Sequence, residues 1–335
     1  METPPPRTAR RKTKQHAGEE DSAEPLIDTT QALTLRSKRT ERRLKKVKKK
    51  EPSVSGSGTP FLDLPYELLV PILSQLRPSD LFVLSQVCKP LRNFIQHEGA
   101  RLSETIISRR YACLAKCFLL PVPLQALCPN QRTALIQRNA ATCGHTQPQN
   151  IPQHDRNLVC SCLSCALRWN CLCLVVDFAY WQDNLDKGQP IPMVARGSNC
   201  VPWNTRLLAR NAAMVTKCLA SPLWYARVLE AHLDSTIRSI LRHSQNKGNR
   251  RSRFRMTTAD VAAGTDEFLE RSGPPSAYVP YHRDNYYLLE AFLPNRSWIK
   301  EKQGWIYLRA EQHDKDLDII VRFYTPLPLS TQEGI

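Results

Sequence analysis

Five cysteines, Cys160, Cys162, Cys165, Cys171 and Cys173, fall within fourteen residues, with Cys143 and His145 a little upstream. Thiolates and imidazoles in sets of four make tetrahedral zinc sites, and a C-x2-C knuckle commonly supplies two of the four ligands. Cys162-x2-Cys165 is such a pair. Cys143 with His145, or Cys171 with Cys173, would supply the other two, though neither has the usual knuckle spacing. Leu163, Leu172 and Leu174 interleave with the thiols, which fits cysteines acting as small buried hydrophobes. The residues favour that reading. No cofactor is expected, and a structural zinc held by the Cys143–Cys173 cluster is the alternative.

Other chemistry is thin. His282-Arg283-Asp284 opens like a phosphoryl-transfer catalytic loop, but Leu289 stands where that loop needs an Asn, and no Gly-rich phosphate loop or Asp-Phe-Gly accompanies it. No G-x-S-x-G elbow, P-loop lysine or H-E-x-x-H helix is present, and Gly is scarce at 12 residues. Spacing alone does not choose among His232, His243 and His282 as a base for a cysteine nucleophile. The chain is not expected to be an enzyme. Arg250-Arg251-Ser252-Arg253-Phe254-Arg255, following Arg242 and Lys247, can touch phosphate with Phe254 stacked on a base. A solvated loop after an amphipathic helix is the plainer reading.

These residues must be held by a chain of 335 residues, 41% hydrophobic and 23% charged. That length and composition suit roughly two globular units and exclude collagen-like, wholly disordered and small disulfide-scaffold classes. Runs such as Leu172 to Val176 and Cys117 to Leu120 fall short of the roughly 18 residues a spanning helix needs. With no secretory signal visible, a soluble protein of the nucleus or cytoplasm is expected, its 12 cysteines reduced. The net charge of +16 is uneven, since residues 1–58 hold 15 of the 47 Lys and Arg. Poor in aromatic and β-branched residues, this stretch reads as a disordered basic tail. Arg36 to Lys50 is an import signal, a nucleic-acid contact or simply solvated charge, and Ser53 to Gly58 is a flexible linker.

From Leu64 onward the apolar spacing is helical. Leu64, Leu68, Leu69, Ile72, Leu73 and Leu76 form one stripe. Ser79 or Asp80 can cap a second helix carrying Leu81, Leu84, Val87 and Cys88, and Leu91, Phe94 and Ile95 mark a third. A longer helix is expected over Ala100 to Phe118. Leu124 to Val201 reads as irregular, its apolar run Leu172 to Phe178 being a strand or a buried helix. Further helices are expected after an Asn204 cap, from Pro222 with core residues Ala226, Leu229, Leu233, Ile237 and Leu241, and over Thr257 to Arg271. Ser272 to Pro275 is a turn. Trp305 to Leu308 and Leu317 to Tyr324 alternate as strands and would pair in a C-terminal β-hairpin across Arg309 to Asp316. The fold class is mainly α, with α+β character, and no repeat is visible.

Phe61-Leu62-Asp63-Leu64-Pro65-Tyr66-Glu67-Leu68-Leu69, Ile72-Leu73, Pro78-Ser79-Asp80-Leu81 and Leu84-Ser85-Gln86-Val87-Cys88 together resemble an F-box. The resemblance covers about residues 59 to 106. The remainder, with Trp169-Asn170, Asp177 to Gln182, Arg227 to Leu233 and His282 to Tyr287, is similar to uncharacterised F-box proteins of filamentous fungi, which implies no activity. The F-box resemblance implies a three-helix unit, and a role as substrate receptor of a Skp, cullin and F-box ubiquitin ligase. Leu64, Pro65, Leu68, Leu69, Ile72, Leu81 and Val87 are the positions it assigns to the Skp adaptor interface or its immediate support. Pro71 inside the first helix and Leu91, where an aromatic is frequent, depart from the family. The expected organisation is a disordered basic tail (1–58), an F-box (59–106) and an α-rich domain (107–335) recruiting an unknown protein substrate. The alternative is a nuclear nucleic-acid or chromatin-associated protein that binds through its basic tail and Arg-rich loop.

Overall fold

Proline sets where many of the helices begin. Its φ is already helical and it has no N–H to leave unpaired, so it suits the first turn. Pro78, Pro90, Pro129, Pro202 and Pro222 each occupy the first or second position of a helix. The structure, a computed structural model, describes residues 61, 64–141, 148–194, 201–246, 254–271, 273, 279–308 and 311–324. By contacts the chain divides into Met1–Gly58, which lies outside the described residues, and Thr59–Ile335. Arg36 to Lys50, Cys143, His145 and Arg250 to Arg253 also lie outside them.

In chain order the helices are α1 (Tyr66–Gln75), α2 (Pro78–Leu84), α3 (Lys89–His97), α4 (Gly99–Arg110), α5 (Ala112–Cys117), α6 (Pro129–Ala141), α7 (Leu163–Tyr180), α8 (Gln182–Asp186), α9 (Pro202–Ala220), α10 (Pro222–Gln245), α11 (Thr258–Ala263) and α12 (Glu267–Arg271). The antiparallel strands β1 (Arg296–Ile299) and β2 (Gly304–Tyr307) follow, then α13 (Gln312–Tyr324). The fold is mainly helical with one two-stranded hairpin among the described residues, as its class predicts.

The long helix α10 is the axis, with α2, α4, α7, α8 and α9 packed on it. Ala226, Leu229, Leu233 and Ile237 are buried as their spacing requires, but Leu241 is exposed and Ile240 takes the inward place. One core runs from Val70 and Leu81 through Leu114, Trp169 and Leu229 to Phe292. A smaller core joins Leu127, Ala134, Leu135, Cys160, Cys162 and Cys165 to Leu317 and Ile320 of α13.

Several expected elements are corrected. Ala100 to Phe118 is two helices, because the chain bends at buried Tyr111, and Asp266 accepts the Leu114 N–H at 2.8 Å to serve the first turn of α5. Leu124 to Val201 is not irregular, since it contains α6, α7 and α8. The run Leu172 to Phe178 is the inner part of α7, a helix long and apolar enough on composition to cross a membrane. It is 61% buried within the protein and serves as a core helix. Pro202, not Asn204, opens α9, and Asn204 is buried where its side chain donates to the Gln149 carbonyl and accepts from Arg283. Thr257 to Arg271 is two helices separated at Gly264, which takes a left-handed φ of 59°, and Thr257 caps α11.

The hairpin exists with a different partner strand from the one expected. Trp305 to Tyr307 pairs with Trp298 to Arg296, and Leu317 to Tyr324 is helical. Trp298 stands opposite Trp305 with ring centroids 5.1 Å apart. Arg296 lies over the Trp305 ring and donates to the Leu269 carbonyl at 2.8 Å, which fixes the hairpin against α12.

Candidate functional site

The first three helices expose one set of apolar residues while burying another. Leu69, Val70 and Leu73 of α1, Leu81 of α2, and Leu91 and Ile95 of α3 point into the core. Leu68 and Ile72, four residues apart on α1, are 51% and 42% exposed. Val83 of α2 and Val87 just beyond it, again four apart, are 63% and 67% exposed. Of the seven positions singled out from the sequence, Leu68, Ile72, Val87 and Pro65 face outward and Leu64 is half-buried. Leu69 and Leu81, at 4% and 0% exposure, belong to the core beneath.

This unit is tied down at its ends. Two carbonyls at the carboxyl end of α1 accept from α4, Ser74 from Arg109 at 2.8 Å and Gln75 from Arg110 at 2.7 Å. Cations there satisfy orphan carbonyls and oppose the negative end of the helix dipole. At the other end of α1, the Tyr66 hydroxyl donates to Glu98 at 2.7 Å and accepts from Arg101 at 2.9 Å. The bond from Tyr66 holds the Glu98 carboxyl below the usual carboxylate range. Pro71 cannot donate to the Glu67 carbonyl, yet α1 continues through it, with Ser74 Oγ donating to the Pro71 carbonyl at 2.8 Å. Asp80 accepts from the Arg77 N–H, and Ser79 is a donor inside the first turn of α2 instead of its cap.

Among the described residues the partner of the Cys162 and Cys165 pair is not Cys171 with Cys173, while Cys143 and His145 lie outside the described residues. Cys160, Cys162 and Cys165 converge with His313 of α13, their ligand atoms all within 4.8 Å of one another and all four residues buried. His313 Nδ1 lies 3.3 Å from both Cys162 Sγ and Cys165 Sγ. Hydrogen bonding from the Cys160 and Cys162 thiols draws the Cys165 thiol down to about 4. Cys171 and Cys173 lie apart in the main core, where burial pushes both thiols up. His313 was not legible as a partner because it follows the cysteines by about 150 residues. Its one sequence signal is the helical stripe it shares with Leu317 and Ile320.

The other motifs prove architectural. Arg283 of the His282-Arg283-Asp284 motif is buried and pairs with buried Asp177 through two bonds of 2.9 Å, its guanidinium over the rings of Trp181 and Trp203. His232 is enclosed by Phe118, Phe178 and Phe292, and its Nε2 donates to the Phe292 carbonyl at 2.7 Å. Phe254, which the less favoured reading of its loop would stack on a base, is only 6% exposed, and its ring packs on Gly273, where even a Cβ would collide with it. A φ of 115° at Gly273 likewise requires glycine.

No curated protein and no solved structure matches the chain. Residues 61–99, which span α1 to α3 and carry the outward apolar strips, match the family model of the F-box domain, and the protein therefore carries an F-box domain.

Proposed function

We propose that this protein is the substrate receptor of a Skp, cullin and F-box ubiquitin ligase. The observation that carries the reading is the sidedness of the F-box. Leu69, Leu73 and Leu81 close the core beneath it, which leaves Leu68 and Ile72 outward on a helix fixed at both ends, with Val83 and Val87 outward as well. Exposed apolar strips on a rigid support are what a docking partner requires. The Skp adaptor would cover Pro65, Leu68, Ile72 and Val87 and edge onto Leu64, while Leu69 and Leu81 hold these residues in place. A cullin scaffold would follow through the adaptor. Residues 107–335 would then recruit an unidentified protein substrate, and the conjugating enzyme would carry the thioester, so no reaction is assigned to this chain. In this reading the Cys and His cluster serves the architecture of the recruiting region. The nucleic-acid alternative loses Phe254 as a stacking group.

Co-purification of the full chain with a Skp adaptor tests the proposal. Wild type should retain the adaptor in high salt. The double variant Leu68→Glu, Ile72→Glu should lose it while keeping the wild-type melting temperature. Absence of the adaptor from the wild-type eluate would overturn the reading.

A further inference from the structure

Cys160, Cys162 and Cys165 sit in the segment that enters α7, and His313 sits in the first turn of α13. Free cysteines used as small hydrophobes turn their sulfurs toward apolar side chains. Here three sulfurs face a buried imidazole and one another. Each sulfur also receives a backbone N–H at 3.4 Å: Cys160 from the amide of Cys162, Cys162 from that of Cys165, and Cys165 from that of Val122. Amides aimed at sulfur favour the thiolate form that a metal needs, as does the amino end of α7.

The spacings suit a small tetrahedral ion. Zinc bonds of about 2.3 Å to sulfur and 2.0–2.1 Å to nitrogen place neighbouring ligand atoms about 3.5–3.8 Å apart. The two S···N separations are 3.3 Å and the widest pair in the cluster is 4.8 Å, so closure around an ion requires side-chain shifts of about 1 Å or less. Three sulfurs and one imidazole are a donor set that selects zinc over the hard cations, which prefer oxygen. All four positions of the tetrahedron are filled by protein, and every ligand is buried, so no place is left for water or substrate. Such a closed site is structural, not catalytic.

We propose that Cys160, Cys162, Cys165 and His313 bind one zinc ion that fastens α13 to the start of α7. The small core is where the ion matters. Apart from the cysteines, its buried apolar residues among those described are Leu127, Ala134, Leu135, Leu317 and Ile320. A core that small commonly needs a metal or disulfide staple. The bond from the Ser164 N–H to Asp316 at 2.8 Å joins the same two elements beside the cluster, and a zinc ion would complete the attachment. The site is independent of the adaptor reading, because neither α7 nor α13 contributes to the outward strips of the F-box.

The test is elemental analysis of the untagged full chain purified under reducing conditions. Wild type should carry about one zinc per chain. Cys162→Ser and His313→Ala should fall to background, and Cys171→Ser should keep its zinc. A metal-free wild type, or zinc undiminished in both ligand variants, would overturn the site. Cobalt exchanged into the wild type keeps the question answerable if the variants fail to fold. The visible bands of a tetrahedral thiolate-bound cobalt ion support the proposal, and an octahedral spectrum or no binding refutes it. Adaptor capture by the wild type reports separately on the F-box.

Discussion

Glu230 of α10 caps the second helix of the F-box through Ser79, accepting its backbone N–H at 2.8 Å and its hydroxyl at 2.6 Å across 151 residues of sequence. A carboxylate at a helix amino end satisfies orphan donors and meets the positive end of the dipole. Arg227, 3.4 Å away on the same face of α10, balances its charge. The F-box is thus oriented by a group belonging to the region that would recruit substrate. Glu230→Ala should cost about 1–3 kcal/mol in urea unfolding, Ser79→Ala about 1 kcal/mol, and the double variant less than their sum. Additive losses would show that the two residues do not act on each other.

His232 links stability to acid. Burial lowers its pKa from 6.5 to about 4, so the folded protein resists a proton that the unfolded chain accepts. The stability this represents is complete above pH 6.5 and is lost as pH falls toward 4, at most about 3 kcal/mol. His232→Gln retains a donor for the Phe292 carbonyl and should flatten the melting temperature between pH 6.5 and 4. An unchanged acid slope would count against the assignment.

Asp266 acts with the opposite sign. Burial raises it from 3.8 to about 7 even though it accepts the Leu114 N–H. The folded state therefore keeps a proton that the unfolded chain sheds near pH 4. Its contribution is complete below that point and disappears as pH rises through 7. Asp266→Asn should narrow the loss of stability between pH 4 and 7, measured by thermal melts across that range.

Leu81 packs the core of the F-box, and on the proposed reading Val87 contacts the adaptor. Leu81→Ala opens a cavity in a closed core and should cost about 2–5 kcal/mol. Val87→Ala removes an exposed side chain and should change unfolding by no more than about 0.5 kcal/mol. Adaptor affinity measured on the folded protein should fall for Val87→Ala, the variant that leaves stability intact.

The buried Asp177 and Arg283 pair sets a further expectation. Asn211 and Tyr286 donate to the same carboxylate at 3.2 and 2.9 Å. Arg283→Met strands the Asp177 charge and should cost about 3–5 kcal/mol. Replacing Asp177 by Asn in the same chain should recover part of that loss in denaturant unfolding.

Legibility in the sequence followed the strength of local pattern. Periodicity over Leu64 to Leu76 and Pro222 to Leu241 located α1 and α10, because an amphipathic stripe must face a core wherever that core lies. The same stripe did not say which leucines stay outside it. Leu68 and Ile72 share a face with Leu69 and Leu73 at low resolution of angle, and the packing of α4 on α1 separates them. Leu317 to Tyr324 reads as a strand because its residues alternate, yet His313, Leu317 and Ile320 lie one helical turn apart and all are buried. Tertiary contact with α6 overrode local preference. The Cys162 and Cys165 pair was visible in the sequence, but Cys160 had been one cysteine among five and His313 lay on an element read as a connection.

The separation between these residues also sets an order of birth. Cys162 leaves the ribosome 151 residues before His313. At roughly 5–20 residues per second, the three thiols are translated on the order of ten seconds or more before the imidazole that completes their set. Through that interval the small core lacks Leu317 and Ile320, while the three helices of the F-box have already been made. A chain cut short before residue 313 would lack the imidazole together with Leu317 and Ile320, the two α13 residues of the small core.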